Sequence, residues 1–155
     1  MIRLERPGER RDIEALLRAS DLPIPAPADP PVEFLVAVSA GRIVGCAGLE
    51  RHGECTLIRS VVVAREARRS EWGTRLVRAA LARLKEEGRS EAALVTLGAA
   101  AFFTRLGFSP VPRESLAPAL HASPEFRWHG CGNGTWMLYR SSAPAESDCL
   151  RQPEH

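Results

Sequence analysis

Three neighbouring blocks of apolar residues give this chain its clearest pattern. Residues 34–38, 43–50 and 55–63 are rich in Val, Ile, Leu and Ala, and Ser39-Ala40-Gly41-Arg42 and His52-Gly53-Glu54 separate them. Short apolar runs joined by glycine-bearing turns predict an antiparallel meander. The third run, Leu57-Ile58-Arg59-Ser60-Val61-Val62-Val63, is apolar on both faces apart from Arg59 and Ser60. A strand with two apolar faces belongs at the centre of a sheet.

Helical spacing takes over afterwards. Over residues 72–87, Leu76, Val77, Ala80, Leu81 and Leu84 form one stripe, and Gly88 supplies the stop. Ile13, Leu16 and Leu17 make a shorter stripe over 12–19, and residues 99–106 predict a brief helix closed by Gly107. Further strands are predicted at 2–6, 92–97 and 135–140. Residues 20–31 hold five prolines, which rules out a regular helix and suggests a surface loop walling a substrate site. The predicted order is β-α-β-β-β-α-β-α-β, an α/β domain with a mixed sheet over residues 1–140. Residues 141–155 read as a frayed, flexible C-terminal tail.

A chain of 155 residues with 45% hydrophobic and 26% charged residues is expected to form one globular domain. No run approaches membrane-spanning length, and Met1-Ile2-Arg3-Leu4-Glu5 does not open a signal peptide. Cys46, Cys55, Cys131 and Cys149 lack metal-ligand spacing and form no CxxC pair, so reduced thiols in a cytoplasmic protein are expected, with no metal. The net charge of +2 conceals a local excess: residues 59–89 carry nine basic and four acidic residues. A solvated helix face and a site for a phosphorylated cofactor both account for it. No nucleic-acid-binding motif accompanies the charge.

Arg68-Arg69-Ser70-Glu71-Trp72-Gly73 lies between the third strand and the long helix. A strand, a tight turn and a helix N-terminus together present backbone N–H groups to an anion.

Three segments together resemble the GCN5-related N-acetyltransferase (GNAT) superfamily. Residues 57–64 look like its pantetheine-binding strand, Arg68–Gly73 like its pyrophosphate loop, and Ala101-Phe102-Phe103-Thr104-Arg105-Leu106-Gly107-Phe108 like its late helix. A nearer likeness is to small GNAT proteins encoded beside arsenic-resistance genes, carried by Gly48-Leu49-Glu50, Leu57-Ile58-Arg59-Ser60, Ala101-Phe102-Phe103 with Leu106-Gly107, and Cys131. The resemblance implies an acetyl-CoA-dependent N-acetyltransferase that acts on a small amine by direct transfer in a ternary complex. It implies no nucleic-acid or membrane partner. It leaves open a homodimer, with Trp136 either at the interface or in the core.

On that resemblance, Val61, Val62, Val63, Arg68, Arg69, Ser70, Glu71, Trp72, Gly73, Thr74 and Phe103 would bind the acetyl-CoA. Glu50 is the candidate general base. Arg59, diagonal to Glu50 across a tight turn, is either its structural partner or a substrate anchor. Two positions depart from the family pattern. Glu71 stands where a glycine is usual, and Phe103 stands where a tyrosine commonly protonates the leaving thiolate. They define the alternative, a GNAT-fold binding or regulatory protein that has lost CoA binding. Tyr139 reads as packing, His52 and His121 as solvent-facing, and Cys131 as an inert thiol, a substrate-loop residue or a metalloid ligand.

Overall fold

The computed structural model describes residues 1–128, 133–141 and 147–151. Chain order is β1 (Ile2–Leu4), α1 (Arg10–Ala19), β2 (Glu33–Ser39), β3 (Arg42–His52), β4 (Cys55–Val63), α2 (Trp72–Glu86), β5 (Glu91–Thr96), α3 (Ala100–Arg105), β6 (Ser109–Pro110), α4 (Pro124–Trp128) and β7 (Thr135–Arg140). The expected mixed α/β sheet is present. Two elements add to it, the two-residue β6 and the five-residue α4.

Among the described residues, seven strands run in the order β1-β2-β3-β4-β5-β7-β6, and only β4 and β5 pair in parallel. β4 is central, as its two apolar faces require. Ile58 packs with Leu76, Val77, Ala80 and Leu84 of α2, while its neighbour Leu57 packs on the other face with Leu116, Leu120 and Phe126. Strand alternation produces this division. A third cluster joins Ile13 and Leu17 of α1 to Phe34, Cys46 and Val62.

One irregularity in β4 matters for the site. Cys46 pairs with Val62 but Gly48 pairs with Arg59, so two steps on β3 answer three on β4. The extra residue makes a β-bulge at Ser60-Val61, with Ser60 at φ 56°. A non-glycine residue in this left-handed region is uncommon, and bulges of this kind re-aim a strand.

Two sequence expectations change, and one open alternative closes. Cys55 and Cys149 form a disulfide instead of remaining reduced. Residues 147–151, read as part of a frayed tail, are docked: Glu91 accepts from Ser147 Oγ and from Asp148 N (2.7 Å), and Leu150 bridges to Leu116. Trp136 is 3% exposed and packs near Phe126 in the core, so it presents no surface for an interface.

Candidate active site

The β4–β5 ladder pairs only Thr56 with Ala92 and Leu57 with Ala93, and beyond those pairs the strands diverge. The gap holds a cavity of about 280 Å³ lined by residues 58–61 of β4 and 94–97 beyond and within β5. Phe102 and Phe103 of α3 also line it, as do Leu22 of the proline-rich loop and Glu125 of α4. Phe103 belongs to the α2 side of the sheet, whereas Leu22 packs with the α1 cluster. The cavity therefore reaches both faces through the split sheet. A second cavity of equal volume, beside Arg78, Lys85 and Arg89 at the far end of α2, borders neither the split nor the helix N-terminus.

Main-chain donors edge the split. The Val62 N–H lies against the Cys46 thiol and the Ala64 N–H reaches Val44 O at 2.7 Å, so both point toward β3. Alternation turns the intervening Val63 N–H the other way, toward the gap that β5 has left. Burial pushes the Cys46 thiol up to about 12, which makes it a packing group.

β4 then leads into the loop. The first α2 hydrogen bond runs from Arg75 N to Glu71 O at 3.0 Å, and the amides of residues 71–74 have no backbone acceptor among the described residues. Gly73 sits against the cavity wall, since a Cβ there would meet Phe102 at 3.6 Å and Val63 at 3.8 Å. Glu71 has φ −84°, an ordinary value, so its backbone does not demand the missing glycine. Its side chain is exposed. Arg68 and Arg75 are engaged elsewhere: Arg68 Nε donates to Val63 O at 3.1 Å, and Arg75 lies 4.4 Å over the Trp72 ring. Arg69 and Ser70 are exposed, with Ser70 Oγ turned back to Ala67 O, and Thr74 is half-buried.

The acidic candidates separate by position. Glu50 is fully buried, accepting from Arg59 Nη1 at 2.6 Å and sharing a 2.7 Å hydrogen bond with His52 Nε2. Burial pushes its carboxyl up, but bonds from His52, Arg59 and Ser123 more than offset this and hold it below the ordinary value. Glu50 does not line the cavity. Arg59 does, and its Nε reaches Ser60 Oγ at 3.1 Å and Glu125 Oε1 at 3.5 Å. Glu125 lines the cavity too. Its carboxyl is raised, first by burial and further by Glu50, with Arg59 opposing.

The predicted Glu50–Arg59 pair is thus present, on the predicted Glu50–Leu57 register. His52, expected in solvent, is 8% exposed because it shares a strand face with Glu50 two residues earlier. Tyr139 packs on Phe108 (ring centroids 5.5 Å apart), away from the split, and His121 is exposed and stacked on Phe126. Cys131 and His129 lie outside the described residues. Glu125, Phe102 and Leu22 were not singled out from the sequence. For Glu125 the local signal was Ser123-Pro124-Glu125, a helix start with proline and an acid in its first turn.

A sheet split between its parallel strands, with a bulged strand leading to a helix N-terminus, defines an α/β domain suited to an extended ligand ending in an anion. Residues 30–110 match the family model described as acetyltransferase (GNAT) domain, and the chain belongs to that family. An uncharacterised N-acetyltransferase of Chlorobaculum tepidum is 32% identical over 102 residues, 65% of this chain and 61% of its own length. The chain therefore matches about six-tenths of that curated relative. Among solved structures, N-acetylglutamate synthase of Neisseria gonorrhoeae, in complex with coenzyme A and N-acetyl-glutamate, superposes with TM-score 0.74 and 20% identity. That match covers 92% of this chain and 35% of the synthase. A GNAT-family acetyltransferase of Staphylococcus aureus Mu50 gives TM-score 0.72 and 16% identity, covering 92% and 99%. At these identities the structures establish a shared fold.

Proposed function

We propose that this chain transfers the acetyl group of acetyl-CoA to a small amine by direct attack in a ternary complex. The observation that carries the reading is the continuity of donors: the β4 edge at the split runs into four amides, at residues 71–74, that have no backbone acceptor among the described residues. Those amides suit a pyrophosphate. The apolar walls of the split, Ile58, Leu94 and Phe102 among them, suit a pantetheine arm. Co-crystallised coenzyme A in the gonococcal synthase supports this choice of ligand.

Each chemical task falls to a named group. The Val63 amide, turned toward the gap, donates to the thioester oxygen as negative charge builds there. Glu125, raised and facing the cavity, takes the proton from the attacking amine. Glu50 replaces nothing in that step. With its oxygens engaged by Arg59 and His52, it fixes Arg59, and Arg59 in turn holds Glu125. As the amine nitrogen bonds to the acetyl carbon the carbon–sulfur bond breaks, and the thiolate takes its proton from water. Phe103 has no proton to give, and the Tyr139 ring packs elsewhere.

The test is calorimetric titration with acetyl-CoA, with Glu71→Gly alongside, followed by thiol release from acetyl-CoA over an amine panel. Saturable micromolar binding and thiol release with one or more amines are expected. Binding by the variant alone would identify Glu71 as a block and favour the non-catalytic alternative. Silence from both would end the acetyltransferase reading.

A further inference from the structure

The Cys55–Cys149 disulfide spans 94 positions, and both residues are fully buried. Cys55 opens β4, the strand that also carries Arg59. Cys149 lies in a strap, residues 147–151, stitched to the chain ahead of α4. Ala117 N donates to Cys149 O at 2.9 Å, Arg151 N donates to Ser115 O at 2.6 Å, and Leu116 bridges to Leu150. A 3-10 turn at Pro118–Ala122 then leads to Ser123, whose Oγ accepts from Glu125 N at 3.2 Å. Glu125 returns to β4 through Arg59 at 3.5 Å. Strand, disulfide, strap, turn and α4 form a closed ring with one covalent and one ionic tie.

We propose that the Cys55–Cys149 disulfide positions Glu125 in the cleft, so that opening it with a dithiol withdraws that carboxylate and slows acetyl transfer. The kinetic part rests on the acetyltransferase reading above. Once local opening of the strap exposes the buried bridge, a dithiol thiolate attacks one sulfur and its second thiol resolves the mixed disulfide. The bridge gains two electrons and two protons as Cys55 and Cys149 thiols, and the reagent leaves as its cyclic disulfide. Among the described residues, the charged groups facing Glu125 include Arg59 on β4 and Glu50 on β3, with His52 behind Glu50. Arg113 and His121 flank the neighbouring Phe126 ring. The loop amides lie outside the ring, so acetyl-CoA affinity stays unchanged.

The experiment compares oxidised protein, dithiothreitol-reduced protein and Cys149→Ser. Thiol titration in denaturant should find two more reactive cysteines after reduction than before. Hydrogen exchange should show protection lost at the amides of Ala117, Leu120, Ser123 and Phe126 but kept in β3, which reports an intact fold. Carbon-13 titration of Glu125, assigned with Glu125→Gln, should move down toward the ordinary carboxylate range as the segment hydrates. With an amine that turns over, kcat/KM should fall about tenfold or more while the acetyl-CoA Kd holds. Four reactive thiols without reductant, or a Glu125 titration identical in both states, would overturn the proposal. Failure to bind acetyl-CoA in either state would instead remove the transfer reading, and the exchange and titration data would still decide the positioning role.

Discussion

Arg59 Nη1 donates to Glu50 Oε2 at 2.6 Å, with both side chains closed to solvent. This contact explains how an arginine is tolerated in the central strand of the sheet. The bulge at Ser60 supplies a further acceptor, the Ser60 hydroxyl at 3.1 Å from Arg59 Nε. His52 occupies the second Glu50 oxygen. A carboxylate held from both sides and screened from the cavity anchors its neighbours better than it abstracts protons.

Removing one member should therefore cost stability. Glu50→Gln leaves Arg59 buried without its closest counter-charge, and is expected to lose about 3–5 kcal/mol in urea unfolding. Replacing the pair together, Glu50→Leu with Arg59→Met, is expected to cost much less than the sum of the two single changes. Additive losses would show that the two residues do not act as a unit.

The two carboxyls give opposite pH signatures. Glu50 is held below its ordinary 4.5, so its stabilisation is present above pH 4.5 and disappears as pH falls through the lowered folded value. Glu125 is raised above 4.5, so the folded state binds its proton more tightly. Its contribution is present below pH 4.5 and lost as pH rises through the raised value. Stability curves of Glu125→Gln and the native chain should converge at acid pH, with the variant gaining relative stability as pH rises from 4.5 through the raised value. For the reaction, kcat/KM should climb with pH along a limb lying above 4.5. A limb lying below 4.5 would point to a different base.

Much of this fold was legible because it follows from local chemistry. The meander, the central position of β4, the α2 stripe and the Glu50–Arg59 register all arise from alternation, helical period and a two-residue turn. The site was legible only where strand and loop are contiguous. Glu125 was missed because it sits among prolines, serines and glycines, where no period is sustained, and only the folded chain brings it to Arg59. The Cys55–Cys149 bond was missed for the same reason: a separation of 94 positions carries no spacing signal. His52 could have been found, since residues 50 and 52 of one strand share a face. The Ser60 bulge has no glycine to announce it.

Substituting the proposed base separates chemistry from binding. Glu125→Gln keeps the shape of the wall but cannot accept a proton, and is expected to lower kcat about 10²–10⁴-fold with acetyl-CoA affinity unchanged. Steady-state kinetics beside calorimetry checks this. A parallel loss of acetyl-CoA affinity would indicate that Glu125 supports the arm-binding side instead.

Glu71 should act through charge and not through its backbone, because its φ of −84° suits any residue. Glu71→Gln is then expected to tighten acetyl-CoA about fivefold, the water-like end of Coulomb repulsion for an exposed carboxylate near a phosphate. Salt should shrink the gain, since exposed charges are screened. If Glu71→Gly tightens binding and Glu71→Gln does not, backbone freedom is the cause.

Gly48 offers a way to disturb Arg59 without touching a charge. It pairs with Arg59 across β3 and β4, and a Cβ there would sit 2.8 Å from Val32 Cγ1, 3.1 Å from Phe34 Cε1 and 3.3 Å from Arg59 Cγ. Two of these neighbours are core side chains, and the third is the stem of the arginine that holds Glu125. Gly48→Ala is expected to destabilise by about 1–3 kcal/mol through overpacking. It should also shift the Glu125 titration, because displacing the Arg59 stem changes the nearest positive charge. Adding Val32→Ala removes the tightest of the three contacts and should recover part of the stability. The titration should recover with it if Arg59 returns to its place. Recovery of stability with the Glu125 titration still displaced would mean that Arg59 and Glu125 are not mechanically linked through Gly48.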